Sequence, residues 1–456
     1  MTTPLEPDAD HLAALNEAVV GHVTRFLGGR TESPAVSPPT DPALIAELLE
    51  PPDEHGRPIG DLLEVFDRAL DTGFDTASGK FLSYVPSGGL YAGALGAFLG
   101  AVTNPFTGAS HAGEGPVAIE QSVIDWMAGL FGLPDGSGGV LLSGGSIANL
   151  TAMVTARTRL GEDFGAGVVY TSEWSHHSIE KAARIAGISR RRVRKIPTDR
   201  QTRMDTEALS AAIAEDRSEG LVPMMITATA GVTDTGAVDP LARCAAIAAD
   251  AGAWFHVDAA YGGFFQLTDR GRARLNGIER ADSITVDAHK SLFLPFGTGG
   301  LLVRDPAALV DAHEGRGTYM QDVVDAQTPH YTMMGPELTR PYRGLSVWLA
   351  LHLHGVAQFR HTLDRMLDFA ARAAAAIDEL PPLELVSEPE LSIVVFRSTR
   401  GDDDTRRIFE GLNASGDMHV SSTTVHGRFA IRLAFLSQRT TEPIVDRALD
   451  VLAGVA

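Results

Sequence analysis

From Gly139 to Val303 short apolar runs alternate with helical segments, and this alternation limits the folds open to the chain more than any other feature. Runs at Gly139–Leu142, Val168–Thr171, Arg192–Ile196, Met224–Ala228, Trp254–Val257 and Ser283–Val286 read as strands. Helical segments at Ile147–Arg157, Ser178–Ala186, Thr206–Asp216 and Pro240–Ala251 lie between them. Strands that alternate with helices predict an α/β fold with a mostly parallel central sheet covered on both faces. The run Gly300–Val303 follows its predecessor too closely for a helical crossover and is expected to be antiparallel.

The flanks differ. Residues 1–89 read as a helical N-terminal arm, with helices at Ala9–Leu27, Pro42–Leu49 and Asp61–Thr72 set among prolines. An arm with so little core of its own is expected to pack on a partner subunit. After a boundary near Gly344, a long helical pattern over Leu345–Ile377 leads into a second alternation. Its strands Leu391–Phe396, His419–Ser422 and Phe429–Ala434, with helices at Thr405–Asn413 and from Pro443, predict a small C-terminal α+β domain over 345–456. The large α/β domain is then 90–344, a division that suits a chain of 456 residues.

A formal charge of −20 argues against nucleic-acid and anionic-membrane surfaces, which require a positive patch. The single cysteine, Cys244, rules out an internal disulfide and fits a reducing cytoplasm. No secretory signal is expected in the N-terminal stretch, and the apolar stretch Leu90–Val102 is too short to span a bilayer.

Chemistry concentrates after the strands. In Leu141–Leu150 (LLSGGSIANL) a glycine pair and Ser146 stand between strand and helix, where exposed N–H groups favour an anion such as phosphate. A plain turn with a serine cap has the same sequence, and no Gly-Lys-Ser/Thr follows to make a nucleotide-triphosphate loop. His176 and His177 open the next helix; no further ligands stand at metal-binding spacing, so a ring in the cleft or a capping histidine are the readings left. Trp254–Val257 and Ser283–Val286 each end on an aspartate, Asp258 and Asp287, and the second is followed by His289 and Lys290. A lysine that can form a Schiff base and an aspartate that can hold a protonated ring nitrogen are what pyridoxal 5'-phosphate requires of a protein. An ion pair closing a strand end is the alternative.

LLSGGSIANL, SHHSIEKA, TATAGVTDTGAVDPL, HVDAAYGGF, DAHKSLFLPFGTG and RPYRGLSVW occur in this order between about Phe81 and Ser437. In combination they resemble the pyridoxal-phosphate-dependent group II decarboxylases, which include the aromatic L-amino-acid and glutamate decarboxylases. The resemblance implies a fold-type-I enzyme, a homodimer with active sites near the subunit interface. Lys290 is implied as the Schiff-base lysine and Asp258 as partner of the ring nitrogen, with Ala260 and His176 on the two ring faces. Gly145, Ser146, Asp287 and His289 match positions around the phosphate, and Thr229 one near the ring hydroxyl. Tyr319 falls where the family keeps a loop tyrosine thought to protonate the carbanionic carbon, within a segment His313–Gly335 suited to closing over the site. Tyr84, Pro86 and Ser87 match the substrate pocket, which Phe106 is implied to reach from across the subunit interface.

Three positions depart from the pattern: Ser291 where many relatives have tryptophan, Ile147 in place of a glutamate, and Gly108 where aromatic decarboxylases of animals have phenylalanine. The last would widen the pocket. The expected activity is decarboxylation of an L-amino acid to its amine. Tyr84 and Phe106 favour an aromatic substrate, and no basic residue is assigned to the distal carboxylate of glutamate. An aldehyde synthase, which decarboxylates and deaminates with oxygen, lacks the loop tyrosine; a non-catalytic paralogue would have lost Lys290 or Asp258.

Overall fold

The computed structural model describes residues 5–37, 39–52, 54–86, 88–315 and 330–456. Twelve strands are present among them, β1 Phe81–Leu82, β2 Gly138–Leu142, β3 Gly167–Ser172, β4 Val193–Ile196, β5 Val222–Thr229, β6 Trp254–Asp258, β7 Ser283–Val286, β8 Gly299–Val303, β9 Leu383–Leu385, β10 Ile393–Ser398, β11 His419–Val425 and β12 Arg428–Ala434. They form a seven-stranded sheet, ordered β2-β8-β7-β6-β5-β3-β4, and a five-stranded sheet, ordered β1-β11-β12-β10-β9.

In the larger sheet β8 runs antiparallel to both its neighbours, β2 and β7, while the other pairs are parallel. The expected exception is therefore where the short β7–β8 connection places it. Strands β2, β3, β6 and β7 are buried along their whole length, which is why they read as unbroken apolar runs rather than as alternations. Parallel strands covered by helices on both faces leave one edge, at their carboxyl ends, where loops can form a site.

The smaller sheet is covered by the helices Val356–Asp378, Asp402–Ala414 and Glu442–Val455. The helical pattern expected over Leu345–Ile377 is two helices, Arg343–His354 and Val356–Asp378, broken at Gly355. Gly355 adopts φ 73°, a left-handed conformation that glycine reaches without steric cost and that interrupts the helical path. Between β12 and the rest of the chain, Arg432 is buried and donates to the carbonyls of Thr233, Asp234 (2.8 Å) and Tyr84 (3.5 Å). Burial lowers its pKa, and the carbonyl partners satisfy the guanidinium that remains. This clamp ties the smaller sheet to the loop after β5.

The N-terminal residues form helices Ala9–Gly28, Pro42–Leu48 and Ile59–Leu70. None of the residues of Ile59–Leu70 is buried, and Phe66, Leu62 and Leu70 stay exposed. Beneath the larger sheet, Arg340 and Glu120 form a fully buried ion pair, and Arg340 also donates to the carbonyl of Leu141 at 2.7 Å. That bond anchors the end of β2, just before the glycine pair.

Candidate active site

The carboxyl ends of β2, β3, β5, β6 and β7 open onto a cavity of about 260 Å³. Gly145, Ser146, His176, Thr229, Asp258, Ala260, Asp287, His289 and Lys290 all line it. Sequence positions more than a hundred residues apart thus meet in one place because each follows a strand of the same sheet.

Lys290 stands on the one-turn helix Ala288–Ser291, with Nζ 3.1 Å from Asp287 Oδ2. His289 Nε2 lies 3.7 Å from the same oxygen, and its Nδ1 is 2.9 Å from the carbonyl of Thr298. A carbonyl only accepts, so Nδ1 is the donor in that bond, and Nε2 is turned towards Asp287. Asp287 presents its second oxygen, Oδ1, without a hydrogen-bond partner among the described residues, and Thr229 Oγ1 is likewise buried and unpartnered. Thr229 is itself held by Asp239, whose carboxylate accepts from the N–H groups of Thr229 and Met204, each at 2.7 Å. Burial pushes Asp239 up to about 6.

Asp258 is organised from behind. Asn149 Nδ2 donates to Asp258 Oδ2 at 2.9 Å and to Ser178 Oγ at 2.9 Å. An ionised carboxylate only accepts, so the NH2 end of the amide must face Asp258 and the oxygen must face His256. His256 Nε2 lies 3.0 Å from Asn149 Oδ1, and its Nδ1 lies 2.8 Å from Ser283 Oγ, which in turn accepts from Trp254 Nε1 at 2.7 Å. Burial pushes His256 down to about 4, so the ring is neutral, with its proton on Nε2 and the Ser283 hydroxyl donating to Nδ1. On the other branch Ser178 Oγ, already accepting from Asn149, donates to His176 Nδ1 at 2.8 Å. Burial also holds the His176 imidazole below its usual value, against the pull of Asp258. A neutral His176 consequently carries its proton on Nε2.

Asn149, Ser178 and His256 are the residues the motifs did not single out. Asn149 lies four positions after Gly145 on the helix Gly145–Thr158, so the two share a face, and that spacing was the available signal. His256 stands two residues before Asp258 on β6, on the same face of the strand.

The proposed substrate residues lie elsewhere. Tyr84 is about half exposed at φ 55°, Pro86 is buried, and neither lines the cavity. Phe106, after the helix Tyr91–Thr103, is half exposed and also outside the lining. Ser87 and Tyr319 fall outside the described residues, as does most of the His313–Gly335 segment. Gly108 does not open the space expected of it: a Cβ there would stand 2.5 Å from Thr332 Cγ2 and 2.7 Å from Phe106 Cζ. The bond from Thr332 N to the Gly108 carbonyl (3.1 Å) draws that segment into the volume.

The cavity suits pyridoxal 5'-phosphate. Gly144 adopts φ 153°, and a Cβ on Gly145 would lie 3.0 Å from both Ala260 Cβ and Asp287 Oδ2, so the loop leaves room only for bare backbone. The 14-residue helix that starts there points its positive end at the cavity, as phosphate requires. A primary amine, Lys290, and a buried carboxylate, Asp258, face the same space and fit an aldehyde and a basic ring nitrogen. The unpartnered Thr229 hydroxyl fits the remaining polar substituent of such a ring.

Residues 46–399 match the family described as the pyridoxal-dependent decarboxylase conserved domain. The chain is 32% identical to an aromatic-L-amino-acid decarboxylase of Bacillus atrophaeus over 97% of this chain and 94% of that one. It is 31% identical to a phenylacetaldehyde synthase of Petunia hybrida over 82% of this chain and 80% of the other. Among solved structures, Oryza sativa TDC with PLP and tryptamine superposes with a TM-score of 0.93 at 27% identity, covering 100% of this chain and 99% of that one. Agreement of sequence, fold and cavity over nearly the whole length has one reading: the chain belongs to the pyridoxal-dependent decarboxylase family and is a pyridoxal-phosphate-dependent amino-acid decarboxylase.

Proposed function

We propose that the protein decarboxylates an aromatic L-amino acid to its amine, as a homodimer in the cytoplasm. The observation that carries the choice of substrate class is the charge of the cavity wall. Apart from Lys290 and the histidines, the described residues that line the cavity offer no cation to a distal carboxylate. The buried guanidinium of Arg432 is already bonded to three carbonyls and Ser421 Oγ. An acidic side chain would therefore be buried unpaired, at a cost of several kcal/mol, whereas an aromatic one is not penalised. Comparison of kcat/KM for L-tyrosine, L-tryptophan, L-dopa, L-phenylalanine, L-glutamate and L-2,4-diaminobutyrate tests this. At least one aromatic substrate should exceed both charged ones by about a hundredfold or more, and a preference for glutamate or diaminobutyrate would overturn the assignment.

When bound, the pyridoxal group supplies the sink for the electron pair released with CO2. The chain's own residues do the rest. Lys290 would hold the cofactor by its aldehyde and would be the group that a substrate amine displaces. Asp258 would hold a proton on the ring nitrogen, where a fixed negative charge in a dry cavity acts most strongly. Ala260 and the ring of His176 would confine the cofactor between them, while Gly145, Ser146 and His289 would receive the phosphate beside Asp287. Thr229 would face the ring hydroxyl. Tyr319 would return the proton to the carbon that loses the carboxylate.

If Tyr319 holds that proton, Tyr319→Phe shifts product from amine towards aldehyde, by about tenfold or more in the ratio. The ratio is read by mass spectrometry under air, and an unchanged value would remove Tyr319 from the role.

Asn149→Ala takes a charge-assisted donor, worth about 1.5–3 kcal/mol, from Asp258 and the tautomer-fixing chain from His176. A loss of about ten- to a hundredfold in kcat/KM is expected at unchanged cofactor content. Wild-type kinetics would show that Asp258 needs no such support.

Support for the homodimer comes from exposed apolar side chains on the arm and on the helix Tyr91–Thr103, among them Phe66, Phe98, Leu99 and Val102. Apolar surface of this kind is characteristic of an interface. No helix among the described residues is long and apolar enough to cross a membrane. Tyr84 and Phe106, placed outside the cavity of their own chain, are assigned in this reading to the substrate pocket completed across the interface.

A further inference from the structure

A second concavity, of about 450 Å³, lies against the outside of the larger sheet between the helix Ser178–Ile185 and the edge strand β4. Its charged walls are Lys181, Arg184, Arg190 and Lys195, with His177 and Glu180. Lys195 is neutralised by Glu180, its Nζ 2.6 Å from Oε1. Lys181, Arg184 and Arg190 are exposed, and among the described residues their side chains make no ion pair or hydrogen bond. Three uncompensated cations thus converge on one groove, in a chain whose formal charge is −20.

A surface cation in an acidic protein can meet a neighbouring carboxylate. Here the neighbouring Arg194 does so, its Nε 3.1 Å from Asp216 Oδ1, and the cations that face the groove do not. Gathering like charges in a concavity costs repulsion that a bound anion removes, and low-dielectric walls raise the local potential. The volume falls within the range of small-molecule sites, about 300–1,000 Å³. Two guanidinium groups and an ammonium suit phosphate or carboxylate oxygens, since the arginine fork matches both. The charged lining residues need at least a trivalent partner for balance. Beyond a Debye length of about 8 Å the acidic remainder of the surface repels a long polyanion, whereas a small one meets only the groove.

We propose that this groove is a binding site for a small multivalent anion, an oligophosphate or a tricarboxylate, separate from the cofactor cavity. His177 lies in its wall, with its ring centroid 4.0 Å from that of His176, so the site adjoins the active-site wall directly.

Calorimetric titration of the cofactor-loaded enzyme with inorganic tripolyphosphate and, separately, citrate tests the proposal, because the cofactor's own phosphate position is then filled. Saturable binding of at least one of the two anions, one per chain, is expected at about 0.1 M salt, weakening as salt rises. The two arms separate phosphate from carboxylate as the preferred chemistry. The double variant Arg184→Ala/Arg190→Ala should weaken binding by about tenfold or more, with turnover unchanged. Lys181→Glu, which reverses one charge without removing either arginine, should do the same and covers the case in which the double variant folds poorly. No saturable binding of either anion, or equal binding in both variants, would overturn the site.

Discussion

Lys290→Ala is expected to lower amine formation by at least about a thousandfold, the scale on which removal of a covalent catalyst lowers kcat, and to abolish the visible absorbance of lysine-bound cofactor. The side chain has two neighbours to answer to. Its Nζ lies 3.1 Å from Asp287 Oδ2, so alanine also strips a cation from a carboxylate that is only 2% exposed. Loss of activity in the alanine variant could then arise from a disturbed phosphate end rather than from the missing nucleophile. Lys290→Arg separates the two causes. It restores a charge beside Asp287, while its guanidinium cannot act as an amine nucleophile. Both variants should be inactive, and the arginine variant should recover the thermal stability that alanine loses. Amine production near the wild-type rate in either one would remove Lys290 from the reaction.

The second large effect is expected at Asp258. Asp258→Asn preserves size and keeps an oxygen for Asn149 to donate to, but it withdraws the negative charge at the end of β6. Loss of a preorganised charge facing the reacting system lowers kcat by about 10²–10³. Cofactor content, measured by absorbance after denaturation, should fall much less, because the lysine and the glycine cradle remain. A variant with normal kcat would show that the ring nitrogen needs no anionic partner here. Equal losses in Asn149→Ala and Asp258→Asn would instead indicate that Asn149 is required for any charge at Asp258 to act.

Much of this was legible from residue patterns, for a physical reason. Buried strands read as continuous apolar runs, and in an α/β sheet whatever follows them is delivered to one edge; Asp258, Asp287 and Lys290 could therefore be placed together without knowing the strand order. The antiparallel β8 could be expected because the β7–β8 connection is too short for a crossover. Asn149 escaped because its partners, Asp258, Ser178 and His256, are distant in sequence and become neighbours only when helix Gly145–Thr158 packs on the sheet. The break at Gly355 escaped because apolar spacing continues through it, and only its backbone angle shows the interruption. Strand β1 is two residues long and pairs with β11, more than three hundred positions away, so local pattern carries no trace of it. Gly108 misled for a related reason: removing a side chain opens a pocket only if nothing else enters, and Thr332 does.

As an amine-forming decarboxylase, the enzyme should release CO2 and amine together without consuming oxygen. The most direct measurement follows CO2, amine, aldehyde and hydrogen peroxide by mass spectrometry and peroxidase assay, during turnover of the cofactor-loaded enzyme on its best aromatic L-amino acid in air. Amine and CO2 should accumulate in a 1:1 ratio, with aldehyde and peroxide at trace level, whereas aldehyde and peroxide appearing in step with CO2 would make the enzyme an aldehyde synthase instead.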